Sequence, residues 1–275
     1  MKVVTFRKLV WDFYENQGRD DLPWRKTQDP YAIYISEMML QQTQTARVIE
    51  KYESWLDHFP TFEAAAETNT KEILKQWQGL GYNRRALYIK ETCKTVVEKY
   101  DGTLPRAESE LLSLPGIGPY TAGAIQAFAH NLPVVFVETN IRSVFIHHFF
   151  AEEEDVSDER IKERVHGTLP EKKIRDWYWA LMDYGNWLKR EVGNLNRRAK
   201  SYQRQSKFAG SNRQLRSLLT QFILAHEPVK RAHLQAEFAE LVSTHERMKP
   251  IEVNLKELKK EGFLIEEAKL IKTSH

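Results

Sequence analysis

The sequence has one cysteine in 275 residues, which excludes an intramolecular disulfide framework and any cluster built from several thiolates. It has no uncharged apolar run near the roughly 18 residues that would span a bilayer. The opening Met1-Lys-Val-Val-Thr-Phe-Arg has no signal-like hydrophobic stretch, which points to a cytosolic chain. A dominant charge sign is also missing, since 41 basic and 38 acidic side chains leave only +3. With 41% apolar and 29% charged residues, wholesale disorder and a membrane protein are both poor descriptions. The length suits one large domain or two smaller ones with a real core.

That weak net charge is an average over an uneven chain. Residues 189–216 hold nine basic side chains, Arg197 and Arg198 among them, against the single acid Glu191. The window carries +8, so the remainder sums to −5. Such a patch has two readings: a contact with a phosphate backbone, or a solvated linker marked by Gly193, Gly210 and Ser211. The Glu152-Glu-Glu-Asp155 run has the opposite sign and reads as a solvated loop that phosphate would repel. His147 and His148 are adjacent in sequence, with no third metal ligand nearby, and read as core or surface residues.

Hydrophobic spacing is helical almost throughout. Residues 3–17 place Val4, Leu9 and Phe13 on one expected face, and prolines at 30, 60, 105, 115, 133 and 170 mark helix starts and stops further along. The first 208 residues read as an all-α domain of roughly ten short helices. Three further amphipathic helices are expected after Gly210, the last with Val253, Leu255 and Leu258 on its apolar face. Gly262-Phe-Leu-Ile-Glu-Glu-Ala-Lys-Leu-Ile-Lys272 then predicts two short strands around a turn. Three helices and a hairpin over residues 209–275 resemble a winged-helix domain.

The sharpest local signal is Leu114-Pro-Gly-Ile-Gly-Pro-Tyr-Thr-Ala-Gly-Ala124. Gly116 and Gly118 flank Ile117 in a tight turn, with a helix expected to begin near Thr121. Backbone amides at such a turn attract phosphate, with Ile117 anchoring it inward. A Gly-x-Gly turn alone is weak evidence, but the extended form resembles the helix-hairpin-helix of DNA-repair glycosylases. Other segments match in order: Leu22-Pro-Trp-Arg25, Asp29-Pro-Tyr31, Ser36-Glu-Met-Met-Leu-Gln-Gln-Thr-Gln44, Gly79-Leu-Gly-Tyr82 followed by Arg84 and Arg85, and Val137-Glu-Thr-Asn-Ile-Arg-Ser-Val144. Over about residues 5–188 the chain resembles the helix-hairpin-helix (HhH-GPD) DNA glycosylase superfamily, and within it the MutY-type adenine glycosylases.

The resemblance implies a two-lobed all-α glycosylase fold and a division of labour. Glu37, set among Ile33, Ile35, Met38, Met39 and Leu40, matches the general acid that protonates the leaving base; burial would keep its proton on. Glu138 stands where the superfamily has an aspartate that stabilises the cationic sugar. It is one methylene longer, and it also reads as a helix N-terminal residue. Tyr120 stands where lyase relatives carry a Schiff-base lysine; a phenol cannot form that adduct, so hydrolysis is expected. Gln41, Gln42 and Tyr82 match duplex-inserting positions, and Trp24 and Arg25 match the pocket wall. Trp177 and Trp187 read as core, while Trp179 falls near a position where adenine-specific members carry a polar base reader. Contacts with DNA are expected from Gly116, Gly118, Thr121, Asn140, Arg84, Arg85, Arg197 and Arg198.

The family pattern fails in two places. Lys189, Asn196, Ala199 and Gln205 fall where four cluster-binding cysteines belong, so no iron–sulfur cluster is expected and residues 189–208 need another tether. The tail is too short and too helical for the Nudix-like partner domain that reads 8-oxoguanine. An alkali ion on carbonyls of residues 113–118 is what the family allows; no catalytic metal and no membrane are expected. The leading expectation is a monomeric, monofunctional glycosylase acting on a mismatched or damaged base in duplex DNA, adenine first. A thymine or uracil mismatch glycosylase and a non-catalytic DNA damage sensor stay open beside it.

Overall fold

The computed structural model describes residues 1–274, and helices account for most of them. In chain order these are α1 (Val3–Gln17), α2 (Pro30–Leu40), α3 (Thr45–His58), α4 (Phe62–Glu67), α5 (Thr70–Trp77) and α6 (Arg84–Tyr100). Next come α7 (Glu108–Ser113), α8 (Pro119–His130), α9 (Thr139–Phe149), α10 (Asp158–Thr168) and α11 (Ile174–Glu191). The all-α expectation for this part holds. Beyond Gly210 lie α12 (Asn212–His226), α13 (Arg231–Ser243) and α14 (Ile251–Lys260), with strands β1 (Val229–Lys230), β2 (Leu264–Glu267) and β3 (Leu270–Thr273).

The chain forms two compact units, each from two stretches. One is Met1–Glu37 with Leu104–Arg204; the other is Met38–Thr103 with Gln205–His275. The expected 208/209 division falls beside the 204/205 break, and the terminal segment groups with residues 38–103.

In the first unit α9 and α1 both pack on α11, around Phe6, Phe145 and the fully buried Trp177. Phe6 meets Trp177 edge-on at 6.0 Å. On α1 the buried residues are Phe6 and Val10, one helical turn apart. Val4 lies on the opposite side and is 80% exposed, correcting its place on the expected apolar face. Gly185 explains itself by proximity: a Cβ there would sit 2.3 Å from the carbonyl oxygen of Asn140, so α11 can approach the start of α9 only with glycine.

In the second unit α4 packs along α6, and Trp55 meets Trp77 edge-on at 5.9 Å. Thr61 and Asn69 cap α4 and α5 by accepting from the Ala64 and Glu72 amides. The expected hairpin is present, and its turn residues Ala268 and Lys269 both have positive φ, matching a tight two-residue connection. The sheet has order β1-β3-β2, antiparallel throughout. The two-residue β1 is too short to announce itself by alternation. Leu255 and Leu258 are buried as expected; Val253, two residues from Leu255 and so across the helix, is exposed.

Candidate active site and nucleic-acid interface

Glu37 lies on α2, whose sequence is apolar nearly all round, and only 4% of its surface is exposed. The Tyr120 hydroxyl donates to its Oε2 at 2.7 Å. Burial pushes the Glu37 carboxyl up to about 7, against the bond from Tyr120 and helped by the nearby charge of Glu138. Tyr120 is held well above its ordinary value, first by burial and then by the two carboxylates. Its ring lies edge-on to Phe136 at 5.8 Å. The structure therefore brings Glu37, Tyr120 and Glu138 together.

Glu138 is the N-cap of α9. Its Oε1 accepts from the amides of Asn140 at 2.7 Å and Ile141 at 2.8 Å, while Oε2 has the longer 3.3 Å contact to the Asn140 side chain. The extra methylene is thus folded back so that one oxygen caps the helix. Burial raises this carboxyl's pKa, and the amides and Arg142 oppose the rise. The helix-terminal role and the charged role coexist in one side chain. The Asn140 side chain adds to this cap, and its carbonyl packs on Gly185.

Arg25 corrects the sequence expectation. Its guanidinium grips Asp183 with two bonds, 2.7 and 2.8 Å, and Arg19 binds the same carboxylate through its side chain at 2.7 Å and backbone at 2.9 Å. The planar fork is consumed, so Arg25 acts as a brace rather than a base contact. It lies 5.3 Å from the Trp179 ring, which stacks on Phe128 at 5.9 Å. Trp24 and Trp179 are both buried. The pairing of Asp183 with arginines 158 and 164 residues away is not readable in the sequence.

At the hairpin the helix begins at Pro119 rather than near Thr121, because proline suits the first helical position. Thr121, the third residue of that helix, is buried, so its side chain is shielded from a phosphate in solvent. Gly116 has φ of +74°, which requires glycine. Gly118 has φ of −96°, and a Cβ there would meet nothing within 4 Å. The fold does not need the second glycine, and open space lies beside it. Ile117 is buried as expected.

Of the expected DNA contacts, Arg85 and Arg198 are spent internally. Arg85 is buried, with Nη1 on the carbonyls of Met38, Met39 and Gln41 at 2.6 to 3.0 Å. Its Nη2 takes those of Leu80 and Gly81 at 3.2 and 2.9 Å. Burial lowers its pKa to about 10. Arg198 donates to the carbonyls of Phe150, Ala151 and Glu153 and pairs with Glu154 at 3.1 Å. The acidic 152–155 run is thus a tether as well as a surface loop. Arg84 and Arg197 remain exposed.

The basic loop has a second tether that sequence reasoning missed. Asn196, at one expected cysteine position, is buried and donates to Thr139 O at 3.0 Å and Ser143 Oγ at 2.7 Å. Its side-chain oxygen accepts from Arg142 at 3.3 Å. Val156 and Ala199 add a parallel β-bridge. The residues present do not fit an iron–sulfur cluster: Cys93 is buried in α6, and among the described residues no group of three or more His, Cys, Asp or Glu is placed to hold a metal. His148 instead shares a 2.9 Å bond with the Tyr184 hydroxyl.

In the second unit Tyr82 and Gln42 both have positive φ and project from irregular backbone. The Tyr82 hydroxyl is bonded by Gln205 and Arg213, and Gln205 also donates to Gln42 at 3.1 Å. Gln41 sits beside them, with its amide 3.5 Å from Met38 Sδ.

Comparison with known proteins places this geometry. Residues 35–170 match the family model described as HhH-GPD superfamily base excision DNA repair protein. The adenine DNA glycosylase of Buchnera aphidicola subsp. Baizongia pistaciae is 38% identical over 149 residues, covering 54% of this chain and 42% of the relative. That of Mycobacterium tuberculosis H37Rv is 32% identical over 265 residues, covering 89% of this chain and 86% of the relative. The chain spans less than half the length of the first of these and most of the second. A solved thermostable thymine-DNA glycosylase is 27% identical with a TM-score of 0.61, covering 73% of this chain and 96% of that one. A trapped endonuclease III–DNA covalent intermediate, 19% identical with a TM-score of 0.53 over 69% of this chain and 85% of that one, shares the fold. The chain belongs to the HhH-GPD superfamily of base excision DNA repair proteins, and within it to the adenine DNA glycosylases of the MutY type.

Proposed function

We propose that the chain is a monofunctional DNA N-glycosylase that hydrolyses the bond between deoxyribose and a flipped adenine in a mismatched or damaged duplex. The observation that carries this reading is the buried Glu37 carboxyl, held near neutrality in its proton affinity and bonded to Tyr120. Glu37 gives its proton to a ring nitrogen of the base as the bond from that base to C1′ breaks. The electron pair leaves with the base, and positive charge develops on the sugar. Glu138 offsets that charge through the oxygen not committed to the cap. Water then adds at C1′ and loses its proton to Glu37, regenerating the acid. Tyr120 supplies no amine, so the sugar stays free of a Schiff base and the product is an abasic site.

The names of the relatives support adenine as the base. The likeness to a thymine-DNA glycosylase, with Trp179 in place of a polar reader, favours thymine or uracil as the second reading. The same proposal takes no cluster and no catalytic metal, a monomer on duplex DNA, and a nucleoid location. The order α12-β1-α13-α14-β2-β3 supports a winged-helix role for residues 209–275, although they share a compact unit with residues 38–103. Gly118 and exposed Arg84 and Arg197 are the proposed phosphate contacts. The test is a panel of duplexes carrying A:8-oxoG, A:G, T:G, U:G and alkylated bases, assayed for abasic sites after alkali. Excision of adenine supports the reading; a borohydride-trapped protein–DNA adduct overturns the monofunctional step.

A further inference from the structure

Glu138 stands at the end of a run with no helix or strand of its own, residues 131–138 between α8 and α9. The cap fixes its carboxylate to α9, but the backbone that leads to it needs a separate hold. Tyr178 on α11 supplies one. Its hydroxyl donates to the Val134 carbonyl at 2.6 Å and accepts from the Phe136 amide at 3.4 Å. Tyr178 is fully buried, and burial raises its pKa, so the phenol keeps the proton it donates.

The same residue acts through its ring. Phe136 stacks on Tyr178 with centroids 4.0 Å apart and planes inclined by 24°. Phe136 also meets two rings of α8 edge-on, Phe128 at 6.0 Å and Tyr120 at 5.8 Å. The fit is tight, because a Cβ on Gly123 would lie 2.8 Å from the Phe136 Cβ. Close-packed side chains pass a displacement on instead of absorbing it. Phe136 is therefore wedged between Tyr178 and the helix that carries Tyr120, whose hydroxyl is bonded to Glu37.

We propose that Tyr178 is a positioning residue for excision: its hydroxyl sets the backbone that leads into Glu138, and its ring sets Tyr120 through Phe136. One residue of α11 then answers for the placement of both carboxylates. The catalytic consequence rests on the glycosylase reading; the placement itself does not. A site of this kind is sensitive to small shifts, since a displacement well short of breaking a contact spoils the alignment of reacting groups.

The test uses the full chain and two variants. Tyr178→Phe keeps the ring but frees the backbone of Val134 and Phe136, and Gly123→Ala pushes Phe136 from the α8 side. Excision is measured as a single turnover at saturating protein, and duplex affinity with a tetrahydrofuran abasic analogue that cannot be excised. Each variant should excise at least about tenfold more slowly while duplex affinity stays within about twofold. The second readout is Glu37 itself, followed by carbon NMR of glutamate-labelled protein with Glu37→Gln assigning the signal. Tyr120 and Glu138 are the ionisable groups that bear on Glu37, and the Tyr120 bond holds its carboxyl below where burial alone would put it. A misplaced Tyr120 should therefore move the Glu37 midpoint up by at least about half a pH unit.

Trp177→Phe is the control for general loosening, since Trp177 packs on Phe6 and Trp11. It should lower Tm yet leave the rate and the midpoint alone. Thermal melting checks that every variant is folded; should Tyr178→Phe not fold, Gly123→Ala decides. A wild-type rate and midpoint in folded Tyr178→Phe overturns the proposal, and so does the same loss in Trp177→Phe. A shifted midpoint in a protein whose wild type excises no base would leave the placement standing and overturn the glycosylase reading instead.

Discussion

Two buried ionisable groups, one in each compact unit, are handled in opposite ways. Glu37 has a phenol and a second carboxylate for company, and burial drives its proton affinity up to about 7. Arg85 is met by five carbonyls and the Thr43 hydroxyl where a carboxylate would otherwise sit, and it stays charged. In the first case the single bond from Tyr120 answers desolvation only in part, and the raised proton affinity is what the proposed general acid would use. In the second it is answered by oriented dipoles and becomes architecture, binding the end of α2 to the loop that carries Tyr82. Burial alone therefore does not mark a functional charge; the partners decide.

The sharpest way to break this contrast is Glu37→Gln. Loss of the general acid should lower the single-turnover excision rate at least about 100-fold. The raised pKa also fixes a sign: the native state holds a proton that the unfolded chain releases between about 4.5 and 7, so Glu37 stabilises less as pH rises through that window. Glu37→Gln should therefore gain several °C in Tm over wild type at pH 8 and little at pH 5. Wild-type excision should fall as pH rises above about 7. An activity that persists in the variant would remove Glu37 from catalysis.

Next in size is Arg85→Met, which strands several buried carbonyls and should cost about 3 kcal/mol or more in denaturant unfolding. A loss under about 1 kcal/mol would show that the basket is not structural. Glu138→Gln keeps an acceptor for the α9 amides but removes the charge. It should lower excision about tenfold with Tm within about 2 °C of wild type; a large fall in Tm would mean that the cap dominates. Smallest is Arg197→Ala, expected to weaken duplex binding a fewfold and reduce the salt slope by about 1 without changing base choice. Arg198→Ala should instead lower stability, and its effect on binding should come from the loosened loop.

The contrast also marks the reach of sequence. Helix spacing, the Gly116 turn and the Glu37 segment are legible because each is a local pattern with one physical solution. Arg25, Arg85 and Arg198 are not. An arginine beside a DNA-binding motif looks the same whether it faces solvent or a carbonyl basket, and decisive partners are distant: Gln41 is 44 residues from Arg85, Phe150 is 48 from Arg198 and Asp183 is 158 from Arg25. Thr121 lies inside α8 rather than at its start, and it is buried. The grouping of residues 205–275 with 38–103 is hidden for the same reason: it depends on contacts between distant stretches. Asn196 leaves a trace in sequence, as the wrong residue at an expected cysteine position, but its bonds to Thr139 and Ser143 need coordinates.

Those bonds have a consequence for the order of assembly. The asparagine amide and the arginine fork reach backbone oxygens of Thr139 and Phe150, at the two ends of α9, so the loop can settle only once that helix has formed.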